Sequence, residues 1–358
     1  MENFTITSPD SLDAALAAAQ QQPDAKFIAG GTDLLQLMKD HVERPQRLVD
    51  LDGLPLDQFS IGDDGARIGA LVKMSDLADN ADLRRRYPVI AEALLASASP
   101  QVRNMATIGG NLLQRTRCGY FRDTGVLACN KRRPGSGCSA ILGFNRLHAV
   151  LGGSEFCIAT HPSDLAVALA ALDAAVEVQG SEGVRNVPIN EFYLVPDDTP
   201  ERETVLRPGD LITAILVPPP GMGERSHYLK LRDRASFEFV LVSAAVAMAV
   251  DDGRIRAARI AVGGVGTKPW RLPNVEAALA GAPMTPAALT EAAAHAAEGA
   301  HPLRDNAFKI PLMQRAVARA LATVTASGGE RCLSTPVSPS PRVKLSDSRS
   351  TGATAGSK

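Results

Sequence analysis

Residues 106–157 read ATIGGNLLQRTRCGYFRDTGVLACNKRRPGSGCSAILGFNRLHAVLGGSEFC and form the most specific stretch of the chain. They contain a Gly-Gly turn followed by four of the five cysteines, which are Cys118, Cys129, Cys138 and Cys157. The spacing is C-x10-C, C-x8-C and C-x18-C, which is neither the CxxC pairing of zinc ribbons nor the CxxCxxC run of bacterial ferredoxins. The spacing alone therefore identifies no metal.

The cysteines lie in a stretch whose many glycines predict a long irregular loop. Loops longer than about 15 residues without structure of their own are uncommon in compact domains, unless they are functional or disordered. Closing about 40 residues costs roughly 3 kcal/mol, whereas metal binding by thiolates supplies on the order of 10 kcal/mol. A metal centre could therefore hold this loop, and disulfides or unlinked thiols are the open alternatives.

Six basic residues crowd the same loop, and their positive charge would favour thiolates and offset the charge of a thiolate-ligated cluster. They are Arg115, Arg117, Arg122, Lys131, Arg132 and Arg133. The plain alternative is that most of them are solvated loop charges.

The composition is that of a soluble globular protein with more than one domain. The chain has 358 residues, 45% of them hydrophobic, and a formal net charge of -1, so it lacks the basic surface that nucleic-acid binding requires. No stretch approaches 18 consecutive apolar residues and the N-terminus lacks a signal-peptide pattern, so we expect neither a membrane span nor an export signal. A folded subunit could still be exported on a partner that carries a twin-arginine signal.

Another glycine turn occurs earlier in the chain. The apolar run 26–29 leads directly into Gly30-Gly31-Thr32-Asp33, and apolar residues then recur at helical spacing from Leu34. This pattern predicts a strand, a glycine turn and a helix. Glycines let the backbone approach a ligand closely, and the N–H groups at a helix start suit a pyrophosphate. The turn is not the GxGxxG fingerprint, so a tight turn without a ligand is the plain alternative.

The rest of the first part of the chain predicts mixed helices and strands. We predict a helix starting at Ser8-Pro9-Asp10, strands at 47–51, 67–70 and 210–217, helices at 87–98 and from 165, and a hairpin of 175–179 with 184–187. Ser163 or Asp164 is expected to cap the helix from 165.

Pro218-Pro219-Pro220 marks the best domain boundary, because prolines end both helices and sheet ladders. The second domain is predicted as a sheet of strands 228–232, 241–250 and 254–263, covered on one face by the helical segment 273–326. Residues 327–358 are rich in Ser, Thr, Gly and Pro and are predicted to be disordered. Cys332 in this tail is left out of the site.

Four motifs together resemble the FAD-binding subunit of the xanthine dehydrogenase, or molybdenum hydroxylase, family. They are KFIAGGTDL at 26–34, ATIGGNLLQ at 106–114, HPSDLAVAL at 161–169 and YLKLRDRASF at 228–237, in matching order and spacing. The segments RTRCGYFRD and CNKRRPGSGC are similar to the branch whose flavin subunit also holds a [4Fe-4S] cluster, as in the periplasmic aldehyde oxidoreductases of bacteria. The resemblance covers roughly residues 26–326.

The resemblance implies an α+β fold. Residues 1–222 would form a two-lobed PCMH-type FAD-binding domain with an iron–sulfur loop insertion, with lobe one at about 1–55, lobe two at about 56–222 and the cluster loop at 115–157. A smaller α+β domain of the CO dehydrogenase flavoprotein C-terminal type would follow at 223–326. The FAD would lie between these parts.

The resemblance also implies which residues hold the cofactors. The first glycine turn would wrap the FAD pyrophosphate and the second would add a backbone contact, while Asp164 would hydrogen-bond the cofactor, Ile212 pack near its ring system and Lys230 place a cation at the flavin. Taken singly, these three could be a helix cap, a core residue and a surface lysine. The implied FAD-binding set is Lys26, Phe27, Ile28, Ala29, Gly30, Gly31, Thr32, Asp33, Leu34, Thr107, Ile108, Gly109, Gly110, Asn111, Asp164, Ile212 and Lys230. The implied cluster ligands are Cys118, Cys129, Cys138 and Cys157.

The family relation further implies an FAD- and [4Fe-4S]-containing electron-transfer subunit of a molybdenum-dependent aldehyde oxidoreductase. Aldehydes would be oxidised to carboxylic acids at a molybdenum cofactor on one partner subunit. Electrons would cross [2Fe-2S] clusters on another partner, reach this FAD and leave to an external acceptor. The sequence shows no acid/base pair or nucleophile motif, so we predict no catalytic residue and little activity of the chain alone.

Two other functions stay open from the residues. A self-sufficient flavin oxidase would need a substrate pocket and would leave the cysteines unexplained. A zinc-stabilised binding module would have no redox activity. For the preferred function we expect a heterotrimer, without nucleic acid or a membrane span, exported to the periplasm on a partner subunit, with a cytoplasmic complex as the alternative.

Overall fold

The computed structural model describes residues 1–22 and 24–326, so the tail predicted to be disordered lies outside the described residues. The N-terminal part is a three-stranded parallel sheet of order β1-β3-β2. Its strands are β1 (Thr5–Thr7), β2 (Lys26–Ile28) and β3 (Arg47–Asp50), and its helices are α1 (Leu12–Gln20) and α2 (Leu34–Lys39). Parallel neighbours need crossover connections, which contain these two helices. The Gly30 turn therefore lies just beyond the carboxyl end of β2.

The first helix begins later than the sequence pattern predicts. Helix α1 starts at Leu12, and its N-cap is Ser11, whose Oγ accepts a hydrogen bond from the N–H of Ala14 at 3.3 Å. The prediction that the helix starts at Ser8-Pro9-Asp10 is therefore wrong by one turn. Both serines have the chemistry of a cap, and only the position of the strand before the helix distinguishes them.

The middle of the chain forms a five-stranded antiparallel sheet of order β4-β5-β8-β6-β7. The strands are β4 (Phe59–Gly62), β5 (Gly65–Gly69), β6 (Ala175–Gly180), β7 (Gly183–Pro188) and β8 (Leu211–Val217). Strand β8 lies between β5 and β6, so the sheet joins segments that precede and follow the cysteine loop. The predicted hairpin and the predicted strand before the triple proline are confirmed.

Short helices lie in the connections between the strands of this sheet. They are α3 (Met74–Asp79), α4 (Ala81–Arg86), α5 (Pro88–Ala96), α6 (Pro100–Arg103), α7 (Ile108–Leu112), α8 (Gly119–Arg122), α9 (Ser139–Leu142), α10 (Asp164–Ala171) and α11 (Ile189–Phe192). Helix α10 is buried on every side, which fits its apolar sequence DLAVALAA. The cysteine loop is irregular as predicted, apart from the single turns α8 and α9.

The third sheet is antiparallel, with order β12-β11-β10-β9. Its elements are β9 (Ser226–Leu231), β10 (Val242–Asp251), β11 (Arg254–Gly263), β12 (Trp270–Arg271), α12 (Pro273–Leu279), α13 (Pro286–Ala294) and α14 (Lys309–Ala326), with 3₁₀ turns at Gly221–Glu224 and His295–Ala297. The sequence pattern misses β12, because two residues carry no periodicity.

Both faces of the third sheet are covered, whereas the sequence predicts one. Helices α12 to α14 pack on one face, where Val246 and Ile260 share a core with Val317. Helices α5 and α10 pack on the other, where Ala245 and Ala261 join the core of the five-stranded sheet. Small residues on this second face let the two parts approach closely. Among the described helices, none has the length and apolar character needed to cross a bilayer.

Candidate functional site

A cleft of about 1130 Å³ opens where the three sheets meet. Ligand pockets for small molecules and cofactors are commonly about 300–1,000 Å³, so the cleft has room for a dinucleotide. All of the predicted FAD-binding residues line it except Ile108. Ile108 is 1% exposed in the core, and its backbone N–H donates to the carbonyl of Val72 at 3.0 Å.

The two glycine turns touch each other at the cleft wall. A Cβ added at Gly30 would lie 1.9 Å from the carbonyl oxygen of Met105, one residue before the second motif. A Cβ added at Gly109 would lie 2.9 Å from the Cβ of Ala70. Gly31 has φ +67°, which side chains rarely adopt. The absent side chains of Gly30 and Gly109 thus let neighbouring backbone pack closely, and both turns line the cleft, where backbone N–H groups suit a pyrophosphate.

Asp33 joins the first glycine turn to the start of the cysteine loop. Its Oδ2 accepts a hydrogen bond from the backbone N–H of Arg115 at 2.8 Å, and its Oδ1 pairs with Arg122 at 2.8 Å and with Arg117. Burial acts to raise the pKa of Asp33, but the two guanidinium groups and the backbone donor outweigh it, and the pKa is lowered. The carboxylate therefore stays ionised between two arginines.

Lys230 and Asp164 form a buried ion pair at the cleft wall. Lys230 Nζ lies 2.8 Å from Asp164 Oδ2, and the two side chains are 4% and 5% exposed. Asp164 also accepts from Tyr228 Oη at 2.5 Å and from Ser97 Oγ at 2.9 Å. Ser163 caps α10, since its Oγ accepts from the backbone of the following turn. Asp164 is thereby free to hold the ammonium of Lys230 on β9, and the pair joins helix α10 to the third sheet.

A second charged cluster, which sequence reasoning missed, is centred on Glu203. Its carboxylate pairs with Arg115 Nε at 2.6 Å and with Lys131 Nζ at 2.8 Å, and Arg115 also pairs with Glu43. Burial acts to raise the pKa of Glu203, but the charges of Arg115 and Lys131 lower it overall. Glu203 follows no motif, and only its place in the fold brings it here.

These contacts correct the expectation for the basic residues of the loop. Arg115, Arg117, Arg122 and Lys131 are not solvated loop charges, because carboxylates pair with them. Burial raises the pKa of Cys157, and the charge of Lys131 acts in the opposite direction. Arg132 instead donates to backbone carbonyls, including that of Phe121 at 2.9 Å. The four paired residues therefore fasten the loop to the rest of the chain, whereas Arg132 holds the loop together internally.

His161 stands at the cleft wall with one unsatisfied nitrogen. Its ring lies 4.3 Å from that of Tyr193, and its Nδ1 accepts from the N–H of Ser163 at 3.4 Å. Its Nε2 is buried and has no partner among the described residues. Burial lowers the pKa of His161 to about 4. The ring is therefore neutral at pH 7.

His161→Phe is expected to reduce the decrease in unfolding free energy that the wild-type chain shows as the pH is lowered. Because the pKa of His161 falls from 6.5 to about 4 on folding, the unfolded chain takes up the proton first. The contribution of the neutral ring to the free energy of unfolding is therefore fully present above about pH 6.5. It decreases as the pH drops towards 4, by at most about 3 kcal/mol. Urea unfolding of the chain between these pH values, with the exposed His301→Phe as control, measures the effect. Equal acid slopes for wild type and His161→Phe would contradict it.

The four loop cysteines are free thiols that line one small cavity. Cys129 and Cys138 face each other across an isolated antiparallel bridge. Burial raises the pKa of Cys118 to about 12, although the N–H groups of Phe121 and Tyr120 act in the opposite direction. Within the described residues, no group of three or more His, Cys, Asp or Glu side chains is placed so that it could hold a metal ion. All four predicted cluster ligands nevertheless line the same small cavity.

This cavity adjoins the large cleft. Lys131, Cys157 and Ala159 contribute to the walls of both. A group bound by the thiols would therefore be separated from a ligand in the cleft by a single layer of residues.

His148 contacts Cys118, one of the residues lining the thiol cavity, and was missed by sequence reasoning. Its Nε2 lies 3.1 Å from Cys118 Sγ, and its Nδ1 is buried without a partner among the described residues. Burial lowers the pKa of His148 to about 4. The backbone carbonyl of His148 accepts from Lys309 Nζ at 3.0 Å, and the pKa of this fully buried lysine is lowered to about 7 by burial. A single histidine in a loop gives no sequence signal that could have found this contact.

Two family models match consecutive parts of the chain. Residues 2–220 match the model described as FAD binding domain in molybdopterin dehydrogenase. Residues 227–324 match the CO dehydrogenase flavoprotein C-terminal domain.

Individual relatives match over nearly the whole chain. The aldehyde oxidoreductase FAD-binding subunit PaoB of Escherichia coli is 50% identical over 91% of this chain and 99% of the relative. The carbon monoxide dehydrogenase medium chain of Afipia carboxidovorans is 28% identical over 85% and 89%. Among solved structures, a carbon monoxide dehydrogenase from Hydrogenophaga pseudoflava superposes with a TM-score of 0.71 at 27% identity, covering 91% of this chain and 98% of that one.

Proposed function

Because the chain belongs to the family of FAD-binding subunits of molybdenum hydroxylases, we propose that it is the FAD- and [4Fe-4S]-containing electron-transfer subunit of an aldehyde oxidoreductase. Family membership confirms the predicted resemblance and the α+β fold, in which an FAD-binding domain precedes a CO dehydrogenase flavoprotein C-terminal domain. The chain is thus an oxidoreductase subunit. The predicted boundaries at 55, 222 and 326 stay part of the proposal.

One observation carries the assignment to aldehyde oxidation. The identity of 50% to an aldehyde oxidoreductase FAD-binding subunit extends over 99% of that relative, whereas the carbon monoxide dehydrogenase chain is only 28% identical. The substrate is proposed to react at a molybdenum cofactor on a partner subunit, and a [2Fe-2S] subunit is proposed to complete a heterotrimer. Electrons would pass from these [2Fe-2S] clusters to the FAD of this chain and on to an external acceptor.

The cleft residues fit an FAD. Both glycine turns line the cleft, and Asp164 holds the ammonium of Lys230 at its wall. Bound FAD would supply an acceptor that takes electrons one at a time and can release two together. The protein's part is to bind this group, to place the Asp164–Lys230 ion pair at the wall beside it and to fix the loop next to it through Asp33.

The thiol cavity fits a [4Fe-4S] cluster by its donor set. Such a cluster takes one thiolate on each iron, so it needs four thiols around a shared space rather than four donors around one point. Cys118, Cys129, Cys138 and Cys157 provide that arrangement, and none is in a disulfide. The shared wall at Lys131, Cys157 and Ala159 supports the expectation that cluster and FAD lie close together.

Cys129→Ser is expected to remove the cluster and leave the FAD in place. The complex would be purified without oxygen from the periplasmic fraction of its host, where co-export with a partner subunit is proposed to deliver it. Relative to wild type, the variant should lose about four iron and four sulfide ions per complex, since Ser is a poor ligand for this cluster. Cys332→Ser is the matched control, because the fifth cysteine lies outside the loop.

Four outcomes would contradict parts of the proposal. Equal iron in wild type and Cys129→Ser would mean that the loop holds no cluster. About one zinc with no flavin absorbance would indicate a zinc-stabilised module. Reduction of the flavin by an aldehyde or alcohol in the isolated chain would indicate a self-sufficient oxidase. Recovery of the complex only from the cytoplasm would overturn the proposed export.

A further inference from the structure

A histidine points at one of the proposed cluster ligands from a buried position. His148 is 5% exposed, and its Nε2 lies 3.1 Å from Cys118 Sγ. Nitrogen–sulfur contacts at this distance are hydrogen bonds. The contact lies in the proposed cluster loop, 30 residues along the chain from Cys118.

The proton of this hydrogen bond can be assigned to the histidine. A thiolate bound to iron has no proton and can only accept, so Nε2 must be the donor. The opposite tautomer would place two acceptors at 3.1 Å and would leave a buried N–H on Nδ1 without a partner, since Nδ1 has none among the described residues. The Nε2–H tautomer leaves only an acceptor unpaired, which costs less.

Lys309, at the start of helix α14, and Asn306, three residues before it, hold the backbone of His148 in place. Lys309 Nζ donates to the carbonyl of His148 at 3.0 Å and to that of Gly264 at 2.6 Å. Asn306 Nδ2 donates to the carbonyls of His148, at 3.4 Å, and Ala149, at 3.1 Å. Both side chains are fully buried. Burying a lysine is costly unless its ammonium is hydrogen-bonded. Because Lys309 is shielded from water, its bonds to the two carbonyls fix the segment that carries the imidazole.

We propose that His148 is a positioning residue that donates its Nε2–H to the Cys118 thiolate and thereby makes the cluster easier to reduce. The inference rests on the proposed function, because it assumes that Cys118 binds a cluster. A reduced cluster carries one more negative charge, part of which lies on its sulfur ligands. A donor to sulfur therefore stabilises the reduced state more than the oxidised one, and hydrogen bonds to sulfur are among the factors that set cluster potentials.

The test compares the complex containing wild type, His148→Phe or His148→Gln with a matched control. Phenylalanine keeps a planar ring and removes the donor, whereas glutamine keeps an N–H. The control is His301→Phe, since His301 is an exposed histidine whose backbone N–H bonds the same segment at Val150. Three quantities are measured: iron and sulfide per complex, the cluster midpoint potential from an EPR-monitored redox titration, and the deuterium coupling to the cluster after exchange into D₂O.

Iron and sulfide are expected to stay at the wild-type level in every variant. The midpoint potential of His148→Phe should shift to a more negative value, His148→Gln should recover part of that shift, and His301→Phe should match wild type. His148→Phe should also lose one exchangeable deuterium coupling. An unchanged potential at full cluster content would overturn the inference. Loss of iron in both His148 variants would overturn it too, because His148 would then be a ligand or a structural support. Absence of a [4Fe-4S] signal in wild type would instead overturn the proposed function.

Discussion

Replacing Gly30 by alanine is expected to leave the complex without stably bound FAD. The new Cβ would lie 1.9 Å from the carbonyl oxygen of Met105 and 3.2 Å from the Cα of Ala106. Neither neighbour is a flexible side chain, so the two glycine turns must move apart by about an ångström or more to relieve the overlap. A backbone cradle for a pyrophosphate depends on the distance between its two sides, and a shift of this size removes several contacts at once.

The measurement is the FAD content per chain after release by denaturation. We expect at least about a tenfold decrease for Gly30→Ala, with an unfolding free energy lowered by about 1–3 kcal/mol through overpacking. Gly62→Ala is the matched control, because a Cβ at Gly62 meets nothing within 4 Å. Wild-type FAD content in Gly30→Ala would mean that the cofactor does not use the contact between the turns.

Asp33→Asn is expected to loosen both the glycine turn and the cysteine loop. The substitution leaves Arg117 and Arg122 without a counter-charge in a site where the three side chains are 15–22% exposed. Breaking a buried ion pair by removing one partner costs roughly 3–5 kcal/mol, and partial exposure reduces this to about 2–3 kcal/mol here. We expect FAD and iron contents to fall together, since one carboxylate holds both segments.

The pH dependence identifies the carboxylate as the cause. The pKa of Asp33 is lowered below 3.8 by folding, so its contribution is present above about pH 4 and is lost as the pH falls through the folded value. The thermal unfolding temperature of the wild-type complex should therefore fall as the pH is lowered. That of Asp33→Asn should already be lower at neutral pH and should fall less in acid. Asp82→Asn is the control, because Asp82 and Arg85 form an exposed pair whose loss costs little. An iron content that stays normal while FAD falls would contradict the coupling.

The sequence predicts those structural features that depend on residues close together in the chain. The strand, glycine turn and helix at 26–39 follow from a pattern contained in about 14 residues, and the structure has all three. The ends of the elements were harder, because Ser8 and Ser11 have the same capping chemistry. The residue-by-residue assignment of FAD and cluster contacts came from the resemblance and stays a prediction.

What the sequence could not predict depends on partners far apart in the chain. Lys309 and His148 are separated by 161 residues, and nothing near Lys309 distinguishes it from a surface lysine. Glu203 lies in a loop without a motif, although it neutralises two of the loop's basic residues. The basic residues of the loop could be counted from the sequence. The carboxylates that pair with them lie in other segments, so only the fold shows whether the basic residues are paired or solvated.

The wall formed by Lys131, Cys157 and Ala159 belongs to both the cleft and the thiol cavity. Any movement of Cys157 that accompanies loading of one cavity changes the shape of the other. Thermodynamic linkage is reciprocal. If a bound cluster changes the affinity for FAD by some factor, bound FAD changes the affinity for the cluster by the same factor. Under the proposed function, whichever cofactor binds first would therefore change the binding constant of the second by the same factor, and the total binding free energy would be the same in either order.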